Sequence, residues 1–79
     1  MSLAKILHEA REKSGLTQYE LAKRLGYTSG QFVSNWERGK SRPPRHILKQ
    51  LSQAVGVKVK IIKEIYRQEV ISALMEKLR

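Results

Sequence analysis

An all-α fold is predicted by three features of this 79-residue sequence. Apolar residues recur at three- and four-residue spacing along five successive segments, and glycine or proline separates most of these segments. The chain has no cysteine, so one small core has to hold it together without disulfides or thiolate metal sites. We therefore expect a compact five-helix bundle, with residues 1–57 as the main domain and residues 58–79 as an extended C-terminal helix.

The first two helices are bounded by capping residues. Ser2 is the expected N-cap of a helix over residues 3–13. Thr17 is followed three residues later by Glu20, the spacing of a capping box, in which each side chain accepts a hydrogen bond from a backbone N–H at the start of the helix. The second helix is therefore expected to begin after Thr17 and to end at Gly26.

The other three helices are placed by glycine, proline and apolar periodicity. The third is expected over residues 29–38 with Ser29 as its N-cap; Thr28 is the alternative cap, and choosing it would shift the register of the outward-facing residues. Pro44 is expected in the first turn of the fourth helix, where a missing N–H is tolerated. The last helix is expected over residues 58–78, which contain neither glycine nor proline.

The segment from Thr17 to Gly39 has the layout of a helix-turn-helix motif. Two short helical patterns are joined by a turn that contains glycine, and the second pattern is rich in small polar side chains. In such a motif the first helix braces the second, which enters the major groove of DNA. The motif therefore predicts sequence-specific binding of double-stranded DNA.

The net charge of +9 is confined to the middle of the chain. Residues 1–20 and residues 64–79 each contain three basic and three acidic residues, whereas the segment between them holds ten basic residues and a single acid, Glu37. A block of one sign around a helix-turn-helix is typical of a surface that contacts phosphates. Binding to an anionic membrane is the less favoured alternative, because the block contains prolines and turns rather than one basic amphipathic helix.

Composition argues against an enzyme. All seven acidic residues are glutamate, and the two histidines, His8 and His46, fall on different predicted helices without a candidate co-ligand. We expect no catalytic residues, no cofactor and no metal. The chain shows neither an apolar membrane-spanning stretch nor a signal-peptide core, so a cytoplasmic location is expected.

At TQYELAKRLG and VSNWERGKSRPP the sequence resembles the phage repressor/Cro-type (lambda-repressor-like) helix-turn-helix family. The resemblance extends over about residues 3–57. It implies a compact bundle of four or five helices that binds operator DNA, usually as a two-fold dimer, and that represses or activates nearby promoters. A chain of this size without a sensor domain resembles a Cro-like or small repressor protein.

The resemblance also implies roles for individual residues. Base contacts are implied for five positions: Gly30, Gln31, Phe32, Ser34 and Asn35. Contacts with the DNA backbone are implied for six: Thr17, Gln18, Arg38, Lys40, Arg42 and Arg45, the last of which matches a position that reaches the minor groove in some members. The amides of Gln31 and Asn35 suit a bidentate pair with an adenine edge, and Phe32 suits either a thymine methyl group or the protein core. Gly30 would allow close approach of the backbone to DNA.

Four further side chains have structural interpretations. Trp36 is expected in the core, and Glu37 is expected to form a structural ion pair or hydrogen bond that orients a nearby arginine. Tyr19 and Tyr27 each have two equal interpretations, a hydroxyl contact with a phosphate or packing at the edge of the core.

The C-terminal helix carries more apolar residues than one face can hold, which predicts a second buried face. We expect a two-fold homodimer whose interface includes seven residues of this helix: Ile62, Ile65, Tyr66, Val70, Ala73, Leu74 and Leu78. The alternative is an antitoxin that uses this helix to bind a toxin and also regulates its own operon.

Overall fold

The structure of the protein is a computed structural model that describes residues 2–79. The elements in this range are five α-helices and one short 3₁₀ turn. The helices are α1 (Leu3–Lys13), α2 (Gln18–Arg24), α3 (Gln31–Glu37), α4 (Leu48–Val55) and α5 (Val59–Lys77), and the 3₁₀ turn, Arg45–Ile47, lies directly before α4. The predicted all-α five-helix fold is confirmed. None of the described helices is long and apolar enough to cross a membrane.

The predicted caps of α1 and α2 are present. The Ser2 side chain accepts a hydrogen bond from the Lys5 N–H at 3.1 Å. Thr17 and Glu20 form both halves of a capping box: the Glu20 N–H donates to Thr17 Oγ1 at 3.0 Å, and the Thr17 N–H donates to Glu20 Oε1 at 2.9 Å. Gly26 ends the second helical segment with a φ of +89°, a left-handed conformation that residues with a side chain rarely adopt.

Two helix starts differ from the prediction. The N-cap of α3 is Gly30 rather than Ser29 or Thr28, although Ser29 Oγ still accepts a hydrogen bond from the Gln31 N–H at 3.3 Å. Pro44 is not inside the fourth helix. Its ψ of 145° keeps it extended ahead of the 3₁₀ turn, so α4 begins only at Leu48.

The core draws on the first half of α5 as well as on the helices before it. It consists of thirteen buried apolar residues: Leu3, Leu7, Ala10, Leu21, Ala22, Leu25, Val33, Trp36, Ile47, Leu48, Leu51, Val55 and Ile62. Trp36 is therefore a core residue, as predicted. The assignment of Ile62 to a dimer interface is corrected, because its side chain is fully buried within its own chain. Ile65 and Tyr66 also pack against this core.

Candidate nucleic-acid interface

Helix α3 has one buried face and one outward face. Val33 and Trp36 are buried in the core and hold the helix against α1 and α2. The remaining positions of the helix before Glu37 place four side chains on the other face: Gln31, Phe32, Ser34 and Asn35. Four of the five residues for which base contacts were predicted therefore lie together on the accessible surface of a single short helix.

The fifth of these residues, Gly30, faces the protein. A Cβ atom at this position would lie 3.1 Å from the Tyr19 backbone nitrogen and 3.2 Å from the Gln18 carbonyl carbon. Those distances are shorter than nearly all real Cβ contacts, so the missing side chain is what lets the start of α3 approach the start of α2. The close approach that the structure shows at Gly30 is between two helices, and a DNA contact through its backbone stays a prediction.

The two amides predicted to read bases are hydrogen-bonded to each other. Gln31 Nε2 donates to Asn35 Oδ1 at 3.0 Å, which is the expected reach for residues four apart on a helix. This bond restricts the rotamers of both side chains. It leaves the Gln31 carbonyl oxygen as an acceptor and the Asn35 amino group as a donor, the pair of functions that an adenine edge complements in the major groove.

The ring of Phe32 stacks on the ring of Tyr27. Its ring lies 4.6 Å from the ring of Tyr27, nearly parallel to it, and Tyr27 meets Trp36 edge-on at 5.7 Å. Phe32 is nevertheless 49% exposed, so it belongs to the outward face and not to the core. Tyr27 packs against the core edge, whereas Tyr19 remains exposed with the Lys23 ammonium 5.6 Å from its ring centre.

A network around Glu37 (the Glu37 network: His8, Arg11, Gln18 and Glu37) joins the end of α3 to α1 and α2. Arg11 forms a two-point ion pair with the Glu37 carboxylate, which also accepts hydrogen bonds from His8 Nδ1 at 2.8 Å and from Gln18 Nε2 at 3.2 Å. The guanidinium of Arg11 also donates to the Leu16 carbonyl oxygen at 2.7 Å. The predicted structural role of Glu37 is confirmed.

The electrostatics of this network keep Glu37 ionised. Burial alone would raise the pKa of its carboxyl, but the hydrogen bonds from Arg11, His8 and Gln18 outweigh burial and lower it. The same contacts hold the end of α3 against the scaffold. Arg11 was not predicted from the sequence as part of this site. Its position beside the apolar stripe of Leu7 and Ala10 could have indicated it, because a charged residue buried there needs an ionic partner.

The residues predicted to contact the DNA backbone fall into two groups. Arg38, Lys40 and Arg45 are exposed on the segments that follow α3. Three others are already engaged: Thr17 in the capping box, Gln18 with Glu37, and Arg42 with Glu69 of α5 at 3.6 Å. Gln18 therefore also positions the end of α3, a role that its place on α2 did not reveal. Within residues 2–79, histidine and acidic side chains form no group of three or more that could hold a metal ion.

A family model described as helix-turn-helix matches residues 7–62 of this chain. The chain is 45% identical over 47 residues to an uncharacterised HTH-type transcriptional regulator, y4dJ, of Sinorhizobium fredii, with 60% of each protein covered. It is 27% identical over 60 residues to human endothelial differentiation-related factor 1, and this match covers 76% of the chain. The chain spans about 40% of the length of that protein.

A solved structure with a similar fold is the P22 c2 repressor in complex with a synthetic operator. The two folds superimpose with a TM-score of 0.71 at 26% sequence identity, and the match covers 78% of this chain and 92% of the repressor chain. The matched part is larger than the motif alone, so the similarity concerns the way the helices pack around the core as well as the α2–α3 pair.

Proposed function

The chain belongs to the helix-turn-helix family, with the fold of the phage repressors, and on that premise we propose that it is a sequence-specific transcriptional regulator. Its ligand is an operator in double-stranded DNA, and α3 enters the major groove. No catalytic step is part of this function.

The observation that carries the proposal is the outward face of α3. A helix that reads bases has to present polar side chains from a rigid support, because a mobile support would lose the geometry of bidentate hydrogen bonds. Here Val33 and Trp36 anchor the inner face, and the Glu37 network holds the end of the helix. The linked amides of Gln31 and Asn35 are left on the outside.

The proposal is tested by selecting preferred duplexes from a random library and measuring the dissociation constant of Gln31→Ala on the preferred site and on mixed-sequence DNA. Loss of one bidentate contact should cost about 1–3 kcal/mol on the preferred site and little on mixed-sequence DNA. Gln53→Ala, an exposed glutamine on α4, is the matched control and should leave both constants unchanged. Equal losses on both duplexes would contradict a base contact, and failure to select any duplex would overturn the proposed function.

The finer assignment of partners rests on the end of α5. Four apolar residues are exposed there at helical spacing: Ile71, Leu74, Met75 and Leu78. They form one stripe of two turns (the α5 stripe), beside the half-buried Val70 and Ala73. We infer that a second copy of the chain covers this stripe and forms a two-fold dimer, which would present two α3 helices to a two-fold operator. A toxin bound to the same stripe is the alternative.

A further inference from the structure

Helix α5 has two flanks of different charge, and the segment before α4 places one arginine against each. On the first flank Arg42 lines a recess that also contains Glu64, Glu69 and Glu76. The Arg42 guanidinium lies 3.6 Å from a carboxylate oxygen of Glu69 and donates to the Glu69 carbonyl oxygen at 3.4 Å. Arg42 therefore has an acidic partner on α5 within its own chain.

The second flank is basic. Arg45 of the 3₁₀ turn meets Lys63 and Arg67 of α5 around a recess of about 230 Å³ (the basic recess), whose other lining residues are Leu48, Tyr66, Val70 and Ile71. None of the lining residues is acidic. Three cations from two separate elements thus surround one open recess.

These cations are available to an external anion. Within residues 2–79, neither Arg45 nor Lys63 has a carboxylate oxygen within 4.0 Å. Arg67 pairs with Glu64 at 3.1 Å, but both side chains are more than half exposed, and such a pair contributes little and exchanges readily. Holding like charges together is unfavourable until an anion joins them.

We propose that the basic recess binds a backbone phosphate of the DNA duplex, so that α5 takes part in DNA binding through Lys63 and Arg67. The inference rests on the proposed function and deepens it. Arg45 follows Arg38 and Lys40 in the basic stretch between α3 and α4, so one short segment of chain joins the recognition helix to the recess. Guanidinium and ammonium groups are the usual partners of DNA phosphates.

A phosphate fits the three cations of this recess better than the acidic flank of a second copy does, although Ile71 at the recess also belongs to the α5 stripe. A second copy would have to supply carboxylates from its acidic flank, and Glu69, the least exposed of the three there, is already engaged within its own chain. Glu69 Oε2 accepts a hydrogen bond from the Leu3 N–H at 2.7 Å, and its other oxygen faces Arg42. A duplex brings anions that need no such rearrangement.

The test is the salt dependence of binding to a labelled 30-base-pair duplex of mixed sequence, measured by fluorescence anisotropy between 50 and 300 mM KCl. The logarithm of the association constant decreases linearly with the logarithm of the salt concentration, and the magnitude of this slope decreases by about 0.9 for each phosphate contact that is lost. Lys63→Gln and Arg67→Gln should each reduce the magnitude of the slope by about that amount and weaken binding roughly five- to tenfold at 0.1 M salt. Lys63→Arg should keep the wild-type slope, because it keeps the charge.

A control variant separates this contact from a general effect of charge. Lys5→Gln removes one exposed charge from α1, beside a separate recess that none of the three cations lines, and should leave the slope unchanged.

Unchanged slopes in both Lys63→Gln and Arg67→Gln, while the wild type binds the duplex, would overturn the inference alone. If these variants instead lowered the sedimentation coefficient without changing the slope, the recess would be an interface between copies. Absence of duplex binding by the wild-type chain would overturn the proposed function together with the inference.

Discussion

At the scale of single residues, Gly30 shows how one missing side chain positions the recognition helix. Gly30→Ala would place a methyl group 3.1 Å from the Tyr19 backbone nitrogen, and this neighbour is backbone that cannot rotate away. We expect a loss of about 1–3 kcal/mol in the free energy of unfolding, measured by urea denaturation, because the two helices must move apart. Ser72→Ala on the exposed side of α5 is the control. An unchanged unfolding free energy would mean that α3 adjusts without cost.

The second residue-scale prediction concerns His8. Its hydrogen bond to Glu37 raises the pKa of the imidazole above its ordinary value of 6.5, and Glu12 contributes in the same direction. A raised pKa in the folded state means that protonation stabilises the fold. This contribution is fully present below about pH 6.5 and is lost as the pH rises through the folded-state value.

The prediction is checked by measuring the unfolding free energy between pH 5 and pH 9. His8→Gln should remove the decline in stability across this window, because glutamine does not titrate. His46→Gln, in the 3₁₀ turn, is the matched histidine control and should keep the decline. The same pH profile for the wild type and His8→Gln would show that the Glu37 network does not couple to protonation of His8.

At the scale of elements, helices were easier to predict than their faces. The bounds of α1 agree with the prediction because caps and apolar spacing act between residues close in sequence. The inward face of α5 was harder to predict from the sequence. Ile62, Ile65 and Tyr66 satisfy the spacing of a dimer seam, but they turn toward the core of their own chain, and the exposed stripe begins at Ile71. Apolar periodicity alone does not distinguish the two faces.

At the scale of the whole molecule, the exposed α5 stripe predicts the oligomeric state. Leu74→Lys together with Leu78→Lys should convert a dimer at micromolar concentration into a monomer, because each lysine would place a charge in an apolar contact. Analytical ultracentrifugation measures the change, and circular dichroism checks that the helices remain.

The control for this prediction is Gln68→Lys, on α5 one turn before the stripe, which should stay dimeric. A wild-type chain that sediments as a monomer at this concentration would contradict the homodimer. If that monomer then formed a complex with a toxin encoded by a neighbouring gene, the toxin would be the occupant of the stripe.

The sequence by itself determined the helices, the helix-turn-helix motif, the core position of Trp36 and the structural role of Glu37, because each depends on local spacing or on residue chemistry. Only the tertiary structure decided which surroundings each cation has. Arg42 and Arg45 are three residues apart and chemically identical, yet the first lies beside Glu69 and the second beside Lys63 and Arg67. Glu69 also caps α1 at Leu3, 66 residues away in the chain. Contacts of that separation arise from how α5 packs across the bundle, which no local pattern encodes.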